Sequence, residues 1–468
     1  MLFRSARAGG CINTDFIDNS GGVDCSDHEV NLKILLGIAE ARGDLTRKQR
    51  DELLVEVSND VVKHVLYDNY LQAQILTQEA TASTTRIRAY EELMESLEAE
   101  GLLDRAIEEL PSTEEMADRA RLGEGMARPE LAVLLSYAKL SLKTAILASS
   151  LPDDPYLQGD LRRYFPSVVV ERFDYLLADH PLRRELIATI VAKDVVDSEG
   201  VTFVSRSIAE TGAEPSDVAR AYRIAREVTS APARWAALEA LDGVIDPVVQ
   251  NELMSSVDWV VGLTGRWFLQ NAPGADIAET IAANAPGFAE LDAALPTLVP
   301  EASRVIRGET AAALIARGAP EALAIGHVYM PALAHAPDIL VVVRNTAHGT
   351  NEVARAFFDA GQSLHLDWIE TQVLTFAAES RWEQFALDAI LDDLLLVRRE
   401  AVQRAIAENP GVEPREALAL FLRARPEAAA RLERLIEQFL DEGTDDLAVI
   451  TVALRQVRSV IARGGASA

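Results

Sequence analysis

From Val30 to the C-terminus, apolar residues recur at helical spacing almost without interruption, and this periodicity restricts the fold more than any other feature of the chain. A repeat near 3.6 residues gives a helix one stripe to bury, whereas a half-buried strand needs strict alternation. Strand signals are nearly missing. Val201-Thr202-Phe203-Val204 has strand composition but no segment to pair with, so it too is assigned to helix. Thr46 with Gln49, Ser112 with Glu115 and Ser380 with Glu383 have the spacing of capping boxes, in which each side chain satisfies a backbone N–H at the helix start. Gly101 closes a Glu-rich helix, Asn409-Pro410-Gly411 makes a turn, and Asp446 to Val460 forms a last helix before the fraying tail Gly464–Ala468. The expected fold is mainly α, a multi-helix bundle, and the lack of a fixed-period repeat argues against a solenoid.

At 468 residues, against about 150 per domain, the chain has room for two to four packed units. Gly123-Glu124-Gly125 followed by Pro129 is the best candidate boundary, because glycine frees the backbone and proline pre-sets the next helix. Beyond it, prolines and glycines from Pro152 to Pro273 separate segments short enough to be antiparallel helices. With 73 acidic against 45 basic residues the formal charge is −28, which opposes nucleic acid and anionic lipid. Cys11 and Cys25 form neither a disulfide framework nor a zinc knuckle, and a reduced, cytoplasmic setting fits them. Leu131–Leu151 is the most apolar stretch, but Lys139 and Lys143 mark it as a core helix, so no membrane crossing is expected.

The N-terminal segment is different. Between Gly9 and Asn31, glycine pairs and small polar residues crowd in front of the first long helix, where backbone N–H groups and the positive end of the helix dipole meet. Asn13-Thr14-Asp15 through Leu36 resembles the large NAD-specific glutamate dehydrogenases of bacteria. The similarity continues in Arg128-Pro129-Glu130-Leu131-Ala132-Val133-Leu134-Leu135-Ser136-Tyr137-Ala138-Lys139 and in Arg266-Trp267-Phe268-Leu269-Gln270-Asn271. The resemblance implies that residues 1–122 are the C-terminal end of a catalytic domain that is otherwise largely absent, and that 123–468 are a helical C-terminal domain. The family's catalytic lysines, dinucleotide site and regulatory region would then lie upstream of Met1.

Asn19-Ser20-Gly21-Gly22-Val23 through Ser26 also resembles the Asn-Ala-Gly-Gly-Val element of the short glutamate dehydrogenases. By that resemblance Asn19, Gly21 and Gly22 contact the NAD cofactor, with Asn19 on the nicotinamide side, while Val23 and Ser26 line the glutamate pocket; Gly21-Gly22 is read as a turn, with Ser26 in the first turn of the helix that follows. Asp24 and Asp27 depart from the short enzymes, which carry uncharged residues there. Both are assigned to capping the helix and complementing its dipole. No metal site is expected: an EF-hand register from Asp18 puts Val23 where glycine is required, and Asp24 with His28 at i, i+4 lacks a third ligand at defined spacing. Other histidines are dispersed, and Arg266-Trp267-Phe268 and Trp382 are assigned to the core.

The expected function is therefore that of part of an NAD-specific glutamate dehydrogenase, acting on L-glutamate and 2-oxoglutarate and homo-oligomeric as the complete enzyme. The chain alone is expected to be inactive, since no Gly-x-Gly-x-x-Gly follows a strand. A helical regulatory or interaction module acting by packing on a partner is the alternative.

Overall fold

The structure is a computed structural model that describes residues 2–10, 12–376, 378, 380–442 and 446–462; Cys11 and the Gly464–Ala468 tail lie outside them. Among the described residues there are 25 α-helices, three short 3-10 segments and no strand, so the chain is mainly α as its periodicity requires. Val201-Thr202 forms a turn leading directly into the helix Phe203–Thr211. The contacts divide the chain into two compact units, residues 1–225 with 265–278, and residues 226–264 with 279–468.

In the first unit, helix Arg183–Glu199 packs along Arg128–Ala148, and both meet Ser58–Ala82, which in turn packs against Gly21–Arg42. Leu35, Leu36, Leu76, Leu131, Leu134, Ile146 and Val195 are buried in this unit. Each such side chain contributes about 1.5–3 kcal/mol relative to exposure. Arg128–Ala148 is the one unbroken helix among the described residues that is long and apolar enough to cross a membrane. Three of its charged residues, Arg128, Glu130 and Lys139, are held by polar contacts within this unit. Glu130, fully buried, takes Arg119 at 2.7 and 2.9 Å, the Ala127 N–H at 2.8 Å and Arg7 at 3.0 Å. Lys139 meets the buried Asp197 at 2.6 Å, and Arg128 donates to Asn13 at 3.0 Å and to Thr77 at 2.9 Å.

In the second unit the long helix Arg381–Glu408 packs against Ala336–Asn345, Thr350–Ser363, Leu366–Thr375, Pro414–Arg423 and Leu447–Ala462. Leu387, Ile390, Leu394, Val397 and Ala401 recur every three or four residues along it and enter one core with Leu366, Ile369, Leu454 and Val457. Trp382 corrects the sequence reading: it lies on the first turn of this helix with 77% of its surface exposed, and packs edge-on to Phe385 instead of anchoring the core. Pro215 and Pro247 open helices as expected, whereas Pro286, Pro296 and Pro331 sit inside them.

Candidate functional site

The first unit builds its site at the start of helix Gly21–Arg42. Asn13 donates from its backbone and side chain to Asp18, at 3.1 and 2.7 Å, closing a short loop ahead of that helix. Asn69 of helix Ser58–Ala82 donates to the Ile17 carbonyl at 3.0 Å and to the Ser20 hydroxyl at 2.9 Å. Ser20 stands at the N-cap position with helical backbone angles and makes no side-chain cap. The helix therefore begins with backbone N–H groups that no side chain of the N-cap covers, a favourable place for an electron-rich group to approach.

Gly21 and Gly22 were expected to form a turn. They are instead the first two helical residues, and neither has a positive φ. A side chain at Gly22 would meet nothing within 4 Å, and one at Gly21 would reach only Val65 at 3.8 Å. Ser26 consequently falls in the second helical turn, one turn later than its sequence suggested. Asn19, Gly22, Val23 and Ser26 are all exposed, Val23 at 79%, and Gly21 is half-buried. The structure thus brings the five predicted site residues to one helix end. Val23 and Ser26 share a face at i, i+3.

Asp24 and Asp27 do not cap this helix. Asp24 turns toward His28, whose Nε2 lies 4.0 Å from its carboxylate, and toward Asp68 of helix Ser58–Ala82, which sequence spacing could not reveal. Burial, reinforced by the Asp68 charge, pushes the Asp24 carboxyl up to about 6, and burial lowers the His28 imidazole to about 4. Donor atoms of Asp24, His28 and Asp68 lie within 4.8 Å of one another, a set spaced to hold a cation. The chain supplies that cation itself: the Lys193 ammonium makes an ion pair with Asp68 and acts on Asp24 as well.

Asp27 and the following turn are held from the other side. The Tyr164 hydroxyl donates to Asp27 at 2.8 Å and accepts from Asn31 Nδ2 at 3.0 Å, while its ring stacks on His28 with centroids 4.4 Å apart. Burial, then the Asp27 charge, keeps this phenol protonated well above the usual tyrosine range. His180 accepts the Leu182 N–H at Nδ1, so its Nε2 carries the proton and donates to the Asn31 carbonyl at 3.1 Å. Burial lowers its pKa, which favours this neutral form.

The remaining singled-out residues serve packing. Phe268 is buried and Arg266 pairs with Glu210 at 2.6 Å. His327 meets Ser256 at 2.9 Å, and His335 is buried 3.7 Å from Glu370.

Taken together, these features define a mainly helical fold that carries the exposed, glycine-led start of one helix on a framework of buried and half-buried polar groups. Two family models match the chain: "Glutamate dehydrogenase, C-terminal" over residues 123–459 and "Bacterial NAD-glutamate dehydrogenase, catalytic domain" over residues 3–79. The chain belongs to the glutamate dehydrogenase family. An NAD-specific glutamate dehydrogenase of Halomonas elongata is 40% identical over 83% of this chain and 24% of its own length. That of Pseudomonas aeruginosa is 37% identical over 96% of this chain and 28% of its own. That of Mycobacterium tuberculosis is 32% identical over 98% and 28%. The chain spans about a quarter of the length of these curated relatives.

Proposed function

We propose that this chain contributes the C-terminal part of an NAD-dependent glutamate dehydrogenase, which oxidatively deaminates L-glutamate to 2-oxoglutarate and ammonia. Residues 1–122 would complete its catalytic domain and 123–468 would form its helical C-terminal domain, in a cytoplasmic homo-oligomer that engages neither nucleic acid nor membrane. The observation that carries this reading is the convergence of Asn19, Gly21, Gly22, Val23 and Ser26 on one exposed helix end, within the stretch that matches the catalytic-domain model.

In this reading Val23 and Ser26 receive the glutamate side chain, the Ser26 hydroxyl donating to its carboxylate. Asn19 and the backbone at Gly21 and Gly22 face the nicotinamide. The uncapped N–H groups and the open space beside Gly22 fit the close approach of such a group, although they supply one edge of a dinucleotide site and not its βαβ frame. NAD, when bound, accepts the hydride. Lys193, paired with Asp68 and acting on Asp24 as well, offsets part of the negative charge that these two carboxylates would present to a dicarboxylate. Glutamate-dependent NADH formation by an active enzyme containing this chain, and its loss of glutamate affinity on substitution at Val23 and Ser26, tests the proposal. Unchanged kinetics in both variants would refute it.

A further inference from the structure

We infer that Tyr164 is a positioning residue through which the C-terminal region sets the helix that presents Val23 and Ser26. This rests on the functional reading above. Tyr164 lies in the stretch matching the C-terminal family model, whereas Asp27, His28 and Asn31 lie in the stretch matching the catalytic-domain model, yet all belong to one compact unit. One phenol engages three residues within one turn of the Gly21–Arg42 helix. It donates to Asp27, accepts from Asn31 and stacks on His28. Asn31 also donates to the Asp27 carbonyl at 2.9 Å and carboxylate at 3.2 Å, so the hydroxyl closes a ring of hydrogen bonds around one helical turn. Ser26 immediately precedes this turn. Without a side-chain cap at Ser20, the first two turns of the helix depend on such lateral contacts to fix their rotation and to resist fraying. The Tyr164 ring is itself fixed, edge-on to Phe165 at 5.1 Å, and Phe165 is buried beside His180.

Tyr164→Phe keeps the ring stack and removes only the hydroxyl, so it separates positioning from folding. Tyr222→Phe is the control: it removes a buried hydroxyl that donates to the Asp194 carbonyl in the same unit, far in sequence from the helix start. Hydrogen exchange on the 468-residue chain reads the helix directly. Faster exchange of residues 23–31 in Tyr164→Phe, with helix Arg128–Ala148 unchanged, is expected; unaltered exchange there overturns the inference. In an active enzyme containing this chain, Tyr164→Phe is expected to raise KM for glutamate roughly three- to tenfold with kcat nearly unchanged, the signature of weakened ground-state contact. Tyr222→Phe should leave KM as it was. Equal KM values for wild type and Tyr164→Phe, or the same rise in both variants, would assign Tyr164 to packing alone. Ser26→Ala in the same enzyme distinguishes the two levels. If it leaves KM unmoved, the pocket reading fails, while the exchange result still decides whether Tyr164 holds the helix.

Discussion

At the scale of single residues, Ser26 is the sharpest functional test. An exposed hydroxyl on the second turn of the Gly21–Arg42 helix costs little to remove from the fold, so its loss should register in catalysis. Ser26→Ala should lower kcat/KM for glutamate by about 1.5–3 kcal/mol, the range for a hydrogen bond to a charged group. Behind it, Asp24 and His28 titrate in opposition. Asp24 is raised to about 6 from 3.8, so the stability linked to its proton is complete below its unfolded pKa and is lost as pH rises through 6. His28 is lowered to about 4 from 6.5, so its contribution is complete above 6.5 and is lost as pH falls through 4. Between those limits the two slopes cancel in part. Asp24→Asn removes the first, and its Tm should therefore climb more steeply than that of wild type between about pH 4 and 6, the window in which the two shifts overlap. Asp27, His64, Asp68 and Lys193, which also act on His28, are common to both proteins. Parallel Tm curves would mean that Asp24 titrates as an ordinary carboxyl.

At the scale of elements, local chemistry was legible and distant chemistry was not. Thr46 with Gln49 and Ser112 with Glu115 form the reciprocal capping boxes that their spacing implies, and Ser380 accepts the Glu383 N–H. Gly123 ends the Thr113–Leu122 helix in the left-handed conformation that favours glycine. Each of these lies within one turn of its partner. Asp27 and Tyr164 are 137 residues apart, and no periodicity encodes their meeting. The two aspartates were mistaken for caps because capping is the commonest task of an acid near a helix start, and here tertiary partners claimed both. The glycine pair misled for a related reason: glycine permits a turn but does not require one. Glu130 shows how a matched motif can be structural. Burial alone would raise its pKa, yet hydrogen bonds from Arg119, the Ala127 N–H and Arg7 hold it below the usual value. Glu130→Ala strands the buried Arg119 guanidinium and removes the reciprocal bond at the start of helix Arg128–Ala148. A loss of about 3–5 kcal/mol in urea unfolding is expected, as for breaking a buried ion pair from one side. A loss below about 1 kcal/mol, the value of a surface pair, would show that water reaches the site.

At the scale of the whole molecule, helix content decides what the chain can do by itself. Hydride transfer needs a cofactor oriented over the substrate carbon, and the usual dinucleotide frame is a parallel sheet with a glycine-rich turn. The described residues contain no strand, and the glycine-led helix offers one exposed edge of a site. The family relatives, about three and a half times the length of this chain, have room for that frame elsewhere in their chains. Purified as the 468-residue polypeptide, the protein is therefore expected to give a far-UV spectrum dominated by helix and no NADH formation with glutamate and NAD above a protein-free blank. Turnover by this chain alone would require acid–base and cofactor-orienting groups among residues to which the structure gives packing roles. The buried Asp197, whose pKa burial raises, would then be the first place to seek them, since a buried carboxylate with a raised pKa is equipped for proton transfer once substrate can reach it.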